Sequence, residues 1–203
     1  MKPKPLKLLL LKGFFCLVIG LLLWVMLQPS YSTVIASVSE RLYSRVQSGD
    51  KEKTLIRIQG NMIAYIPRGL VSSGKENIPV GMKDVRSLTY NSVILFALVF
   101  FSPGLGIAKR GWVLLAGLSL LFLTQVITVL IQVKFAYVFQ LGGYGGIHYG
   151  AWTRNITGFL KQFFELVGRF SFPFAIWMLF TYRETIEYLT GTEEAKTHRK
   201  RKG

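Results

Sequence analysis

The run LLLLKGFFCLVIGLLLWVMLQ, Leu8 to Gln28, constrains this chain more than any other feature. About 20 mostly apolar residues cross about 30 Å of hydrocarbon at about 1.5 Å per helical residue. Inside lipid the backbone must satisfy its own hydrogen bonds, so such a run is read as a spanning helix. Lys12, near its start, can snorkel to the surface. Three more stretches fit: Tyr90 to Ala108, loosened near its end by Pro103, Gly104 and Gly106; Trp112 to Val133; and Phe163 to Tyr182, which carries Glu165, Arg169 and Pro173. Only 17% of residues are charged, against about 25% in a soluble domain. The fold class expected is therefore an α-helical membrane protein with four transmembrane helices.

The first run has a basic start, but the following WVMLQPSYS offers bulky residues where a signal peptidase needs small ones, so a retained anchor is expected. Lys and Arg near the ends of spans mark the cytoplasmic side. Lys2, Lys4, Lys7 and Lys12 precede the first span, Lys109 and Arg110 lie between the second and third, and Arg183, Lys196, Arg199, Lys200, Arg201 and Lys202 follow the fourth. With four spans all three groups fall on one face, which predicts a multi-pass membrane protein with both termini cytoplasmic. The net charge of +15 then needs no nucleic acid: basic ends held against anionic lipid account for it, and nothing supplies a nucleic-acid-binding element.

Between the first two spans the pattern predicts a small α+β extracytoplasmic domain. Tyr31, Val34, Ile35, Val38, Leu42 and Val46 recur at three- and four-residue steps, the mark of an amphipathic helix ending before Gly49. TLIRIQ and MIAYIP flank Gly60-Asn61, a glycine-first loop suited to a type II′ β-hairpin that sets Ile58 against Ile63 and Ile56 against Tyr65. Gly69 to Met82 reads as turns with one short strand. The expected organisation is residues 1–28, basic start and first span; 29–89, helix-plus-hairpin domain; 90–133, second and third spans; 134–162, a glycine- and aromatic-rich outer loop; 163–182, fourth span; and 183–203, basic cytoplasmic tail.

Chemistry is sparse in this sequence. Cys16 stands alone inside the first apolar run, so no intramolecular disulfide forms. One cysteine and two histidines placed on opposite faces make no three- or four-ligand metal site, and the neighbouring acids Asp50 and Glu52, or Glu193 and Glu194, read as solvated charge. No catalytic, cofactor-binding or metal-binding residue is assigned. The stretch LGGYGGIHYG, Leu141 to Gly150, lacks the GK[ST] ending of a phosphate loop and the strand and acid of a dinucleotide site. His148 has no adjoining nucleophile or carboxylate. The stretch is read as a connector at the outer interface whose Tyr144, His148 and Tyr149, with Tyr65 and Trp152, are the candidate partner contacts. Glu165 and Arg169, four residues apart on a helix, form the candidate intramembrane polar pair. Thr124, Gln125, Thr128 and Gln132 read as glue to a neighbouring helix.

The layout as a whole resembles the exosortase-associated membrane proteins of Gram-negative bacteria. The resemblance lies in the basic start, the first span ending LLLWVMLQP, the run DVRSLTYNSVILFALVFFSPG leading into a tight Lys109-Arg110 turn, the polar-striped span, and FPFAIWMLF followed by YRE. It implies a companion of exosortases, membrane enzymes that process proteins bearing a carboxy-terminal sorting signal. Those enzymes use Cys, Arg and His. This chain has no such constellation, so the resemblance implies a non-catalytic accessory or scaffold without cofactor, whose partners are membrane lipids and an exosortase-type peptidase or its envelope substrate. A small membrane enzyme or transporter working through Glu165, Arg169 and Gln125, and a structural subunit of an envelope secretion complex, stand as alternatives.

Overall fold

The computed structural model describes residues 6–46, 54–67, 81–102, 104–140 and 148–189. In chain order these form α1 (Leu6–Val46), β1 (Thr54–Gln59), β2 (Met62–Pro67), β3 (Gly81–Asp84), α2 (Val85–Thr89), α3 (Asn91–Phe101), α4 (Ile107–Phe135), α5 (Ala151–Gln162) and α6 (Gly168–Leu189). Single π-helical turns, Ala136–Gln140 and Phe163–Val167, continue α4 and join α5 to α6.

Among the described residues, three helices are long and apolar enough to cross a membrane: Gly13–Val46, Ile107–Gln140 and Ala151–Glu187. The second of the four expected spans is a shorter apolar helix, within Val85–Phe101. Its 11-residue main segment α3 ends at Phe101, just ahead of Pro103 in the sequence and of Gly104, which takes φ +79. A proline removes a helical hydrogen bond and disfavours helical backbone in the residue before it, and a left-handed glycine closes a helix end.

The first span also departs from expectation. The amphipathic helix expected after Pro29 is a continuation of α1, which runs through Pro29 without a break. Proline costs a helix one hydrogen bond, here the one to the Val25 carbonyl four residues back. Just beyond it Ser32 Oγ donates to the Gln28 carbonyl and Thr33 Oγ1 to the Pro29 carbonyl, each within α1. The buried side of this half of α1 is Ser32, Ile35, Ala36, Ser39 and Tyr43, whereas Val34, Leu42 and Val46, the last 78% exposed, point outward. The inward side thus mixes small residues, which permit close approach, with the large apolar Ile35 and Tyr43, and the outward side mixes Val34, Leu42 and Val46 with Thr33, Ser37, Arg41 and Arg45.

The described residues fall into two compact units. One takes Met1–Trp24, Asn91–Leu121 and Ser171–Gly203, and its described regular elements are all helices. Its core is Leu95, Val99, Val113, Leu121 and Ile176, with Leu118, Phe172 and Trp177 packed against it. Glycines admit this packing. A Cβ on Gly20 would lie 2.8 Å from Phe96 Cδ1, one on Gly13 3.0 Å from Phe101 Cδ2, and one on Gly117 3.0 Å from Leu95 Cδ2. Thus α3, though short, is seated against α1 on one side and α4 on another. Trp177 Nε1 donates to Ser102 Oγ and the Arg110 guanidinium to the Ser102 carbonyl, tying α6 and α4 to the end of α3.

The other unit takes Val25–Tyr90 and Phe122–Phe170. It holds an antiparallel sheet in the order β1-β2-β3. The hairpin register is the expected one, Ile58 opposite Ile63 and Ile56 opposite Tyr65. Gly60 has φ +59 and Asn61 has no positive φ, which suits type II′. The return stretch supplies a third strand, so the hairpin is not left as a marginal pair. Ile56, Ile63 and Tyr65 join Ile35, Tyr43, Val126, Val133 and Tyr137 in one apolar core. The hydroxyls of Thr54 and Tyr137 bond at 2.6 Å. Residues 134–162, expected as a loop, are helical over 134–140 and 151–162.

Candidate functional site

Among the described residues, Glu165 draws together polar side chains from three elements. Strand register positions its first partner: Lys83 pairs with Ile63 and Gly81 with Tyr65, so alternation puts Lys83 and Tyr65 on one face of the sheet. Glu165 lies in the π-turn Phe163–Val167; such turns insert a residue into a helix and re-aim the side chains around it. Its Oε1 accepts from Lys83 Nζ and from Gln132 Nε2, each at 2.6 Å, and its Oε2 is 3.8 Å from Lys161 Nζ. One carboxylate thus gathers β3, α4 and α5.

The expected pairing of Glu165 with Arg169 is not formed. Arg169 is exposed and lies over the Phe170 ring, 5.8 Å from its centroid, because Glu165 is turned toward the sheet and α4. Gln125 and Gln132 do act between helices as expected: Tyr31 Oη donates to Gln125 Oε1 at 2.7 Å. Thr128 Oγ1 instead donates to the Thr124 carbonyl of its own helix.

Of the five contact candidates, Tyr65 is a core residue, 2% exposed, and is corrected from surface to interior. Its alternation position faces the packed side of the sheet. Tyr149 is half-buried against the core, with Lys134 Nζ 4.7 Å from its ring centroid. His148 and Trp152 are exposed. Tyr144 lies outside the described residues. The structure therefore does not bring the five into one surface. Lys83 and Lys161 escaped the sequence reading. Lys161 carried a signal, standing four residues before Glu165, but Lys83 had none until the sheet register placed it.

The Tyr65 hydroxyl is buried with no hydrogen-bond partner. Burial, and secondarily the Glu165 charge, push its pKa above the ordinary tyrosine value, so it stays a neutral phenol and offers no acid-base chemistry near neutral pH. Since an orphaned buried hydroxyl is destabilising, Tyr65→Phe is expected to leave stability unchanged or raise it by about 1 kcal/mol, read as the midpoint of SDS unfolding in mild-detergent micelles. The pH dependence has a definite sign. Above about pH 10 the unfolded phenol ionises while the folded one does not. The unfolded state then binds fewer protons, so stability falls as pH rises past that value, and Tyr65→Phe should flatten that slope.

The chain matches the family of exosortase H-associated membrane proteins over residues 3–184. It belongs to that family. No curated protein and no solved structure matches it. In this exosortase H-associated membrane protein the matched region contains the sheet, all three long apolar helices up to residue 184, and every member of the Glu165 cluster.

Proposed function

We propose that this protein is a non-catalytic accessory or scaffold of an exosortase-type protein-sorting and processing system at the bacterial envelope. In this reading it resides in the inner membrane, with Val85–Phe101 completing a fourth crossing and both termini cytoplasmic. Its partner is an exosortase-type peptidase or that enzyme's envelope substrate. The observation that carries the reading is the family match over residues 3–184.

The treatment of polar groups supports it. Gln125 accepts from Tyr31, Glu165 is engaged by Lys83 and Gln132, and Ser102 by Trp177. These contacts are what interhelical glue requires; a transport path or a hydrolytic centre needs such groups open to water and substrate. The test is affinity purification of the full-length protein from native membranes, followed by mass spectrometry. Recovery of an exosortase-type enzyme or of proteins bearing its sorting signal is the expected outcome. A protein that comes out alone, or whose deletion leaves sorting-signal processing intact, would overturn the reading.

A further inference from the structure

Arg154, Gly158 and Lys161 stand four and three residues apart and so share one face of α5. That face meets the end of α4 and the π-turn that continues it. The Arg154 guanidinium lies 5.6 Å from the Phe139 ring centroid and Lys161 Nζ 4.2 Å from that of Phe135, and the two rings stack with centroids 4.5 Å apart. Phe139 lies over the helix between the cations, its Cζ 3.7 Å from where a Cβ on Gly158 would stand. Two cations thus flank one stacked pair of rings.

The positive charge here exceeds what the protein supplies to answer it. Between residues 122 and 170 the sequence holds one acidic residue, Glu165. Its Oε1 accepts from Lys83 and Gln132, and its Oε2 stands 3.8 Å from Lys161 Nζ. Among the described residues Arg154 meets no carboxylate. Lys83, Arg154 and Lys161 against one carboxylate leave two positive charges in surplus. A ring attracts a cation through its quadrupole but carries no net charge, so the rings hold these side chains in place without neutralising them. An ammonium or guanidinium seated on one ring keeps N–H donors for a further acceptor.

We propose that Arg154 and Lys161, with Phe135 and Phe139 between them, bind the headgroup phosphate of an anionic phospholipid. Position along the helix favours that anion. Residues 122–133 carry no charged side chain and Lys134 is the first after them, in a helix, Ile107–Gln140, long and apolar enough to cross a membrane. Phe135 and Phe139 follow at once, so the cations packed on them sit where the apolar run ends, at the level of lipid phosphates. Phe139 keeps 40% of its exposure, which gives the site an apolar border beside its charge, and a phospholipid carries an anion and hydrocarbon in one molecule. Two surplus charges select a headgroup whose phosphodiester has no compensating amine over a zwitterionic one. The site stands apart from the accessory reading and needs no partner protein.

The test titrates the full-length protein, purified in a mild non-ionic detergent, with dioleoyl phosphatidylglycerol or dioleoyl phosphatidylcholine and counts bound lipids by native mass spectrometry. The unaltered protein should hold phosphatidylglycerol about 25-fold more tightly, about fivefold for each surplus charge. Arg154→Gln should reduce that preference to about fivefold. Arg154→Lys, which keeps the charge, should retain it, and Arg57→Gln, which removes an exposed charge on β1, should leave it unmoved. Because Arg154 is exposed, its variants should unfold at the midpoint of the unaltered protein, so that lost lipid reports binding rather than folding. Equal affinity for the two lipids, or the same loss from Arg57→Gln as from Arg154→Gln, would overturn the site. Displacement of phosphatidylglycerol by an equal concentration of inorganic phosphate or of a glutamate-rich peptide would assign the cations to a free anion or to an acidic protein segment, and would overturn the lipid assignment.

Discussion

Valine at Gly20 is expected to destabilise the helical unit by about 1–3 kcal/mol, the range for forcing extra volume into a packed interior. The reason is local. A Cβ at Gly20 would already stand 2.8 Å from Phe96 Cδ1, and Phe96 is not free to withdraw, its ring lying 4.5 Å from that of Phe100. Gly117→Val should act similarly through Leu95 and Ile176, whose nearest atoms would be 3.0 and 3.3 Å from the new Cβ. Leu95 and Phe96 are neighbours on one short helix, so the two substitutions together should fall short of or exceed their sum. Gly111→Ala is the control. Nothing lies within 4 Å of a Cβ there, and alanine favours a helix over glycine by about 1 kcal/mol, so stability should hold or rise. The midpoint of SDS unfolding in mild-detergent micelles measures all of these, and an unmoved midpoint for Gly20→Val would mean that α1 and α3 do not pack as described.

Glu165→Ala is expected to cost about 2 kcal/mol in the same assay. Removing one partner of a fully buried ion pair costs about 3–5 kcal/mol, because a charge is left without compensation. The Glu165 side chain keeps 27% of its exposure and that of Lys83 19%, so water screens part of the loss. Gln132 would lose its acceptor as well. Glu165→Gln retains an oxygen for that amide and should cost about half as much. Lys83→Met combined with Glu165→Leu should cost clearly less than the sum of the single changes, since neither charge is then stranded. Strict additivity in that cycle would show that the pair contributes nothing of its own.

The hairpin was legible because its information is local. Gly60-Asn61 fixes the turn, alternation fixes the faces, and the register follows without reference to any other part of the chain. The three long apolar helices were legible too, since length and hydropathy are sums over contiguous residues. Their ends were not. Pro29 looked like a stop yet lies within α1, and residues 151–162 looked like loop because their mean hydropathy is low, although Trp152, Ile156, Phe159 and Phe163 already showed helical spacing.

Packing also split the periodic residues read as one apolar face: Ile35 turns into the core and Val38 packs against it, with Ser32, Ala36 and Ser39 letting the helix approach its neighbours, whereas Val34, Leu42 and Val46 are exposed. Glu165 shows the limit of local reading most clearly. Sequence spacing was read as offering Arg169, Lys161 four residues before it went unread, and nothing within four residues pointed to Lys83, which lies 82 residues away.

The sequence by itself determined that this chain belongs in a membrane, where its hairpin turns, and which family it resembles, because each depends on residues adjacent along the chain or on their overall order. Only the tertiary structure decided that Tyr65 is interior, that Glu165 answers to Lys83 and Gln132, and that Trp152, Ile156 and Phe159 are exposed. Those outcomes depend on which side of a helix meets a neighbour, and that is settled by packing between distant segments rather than by any one segment's own preference.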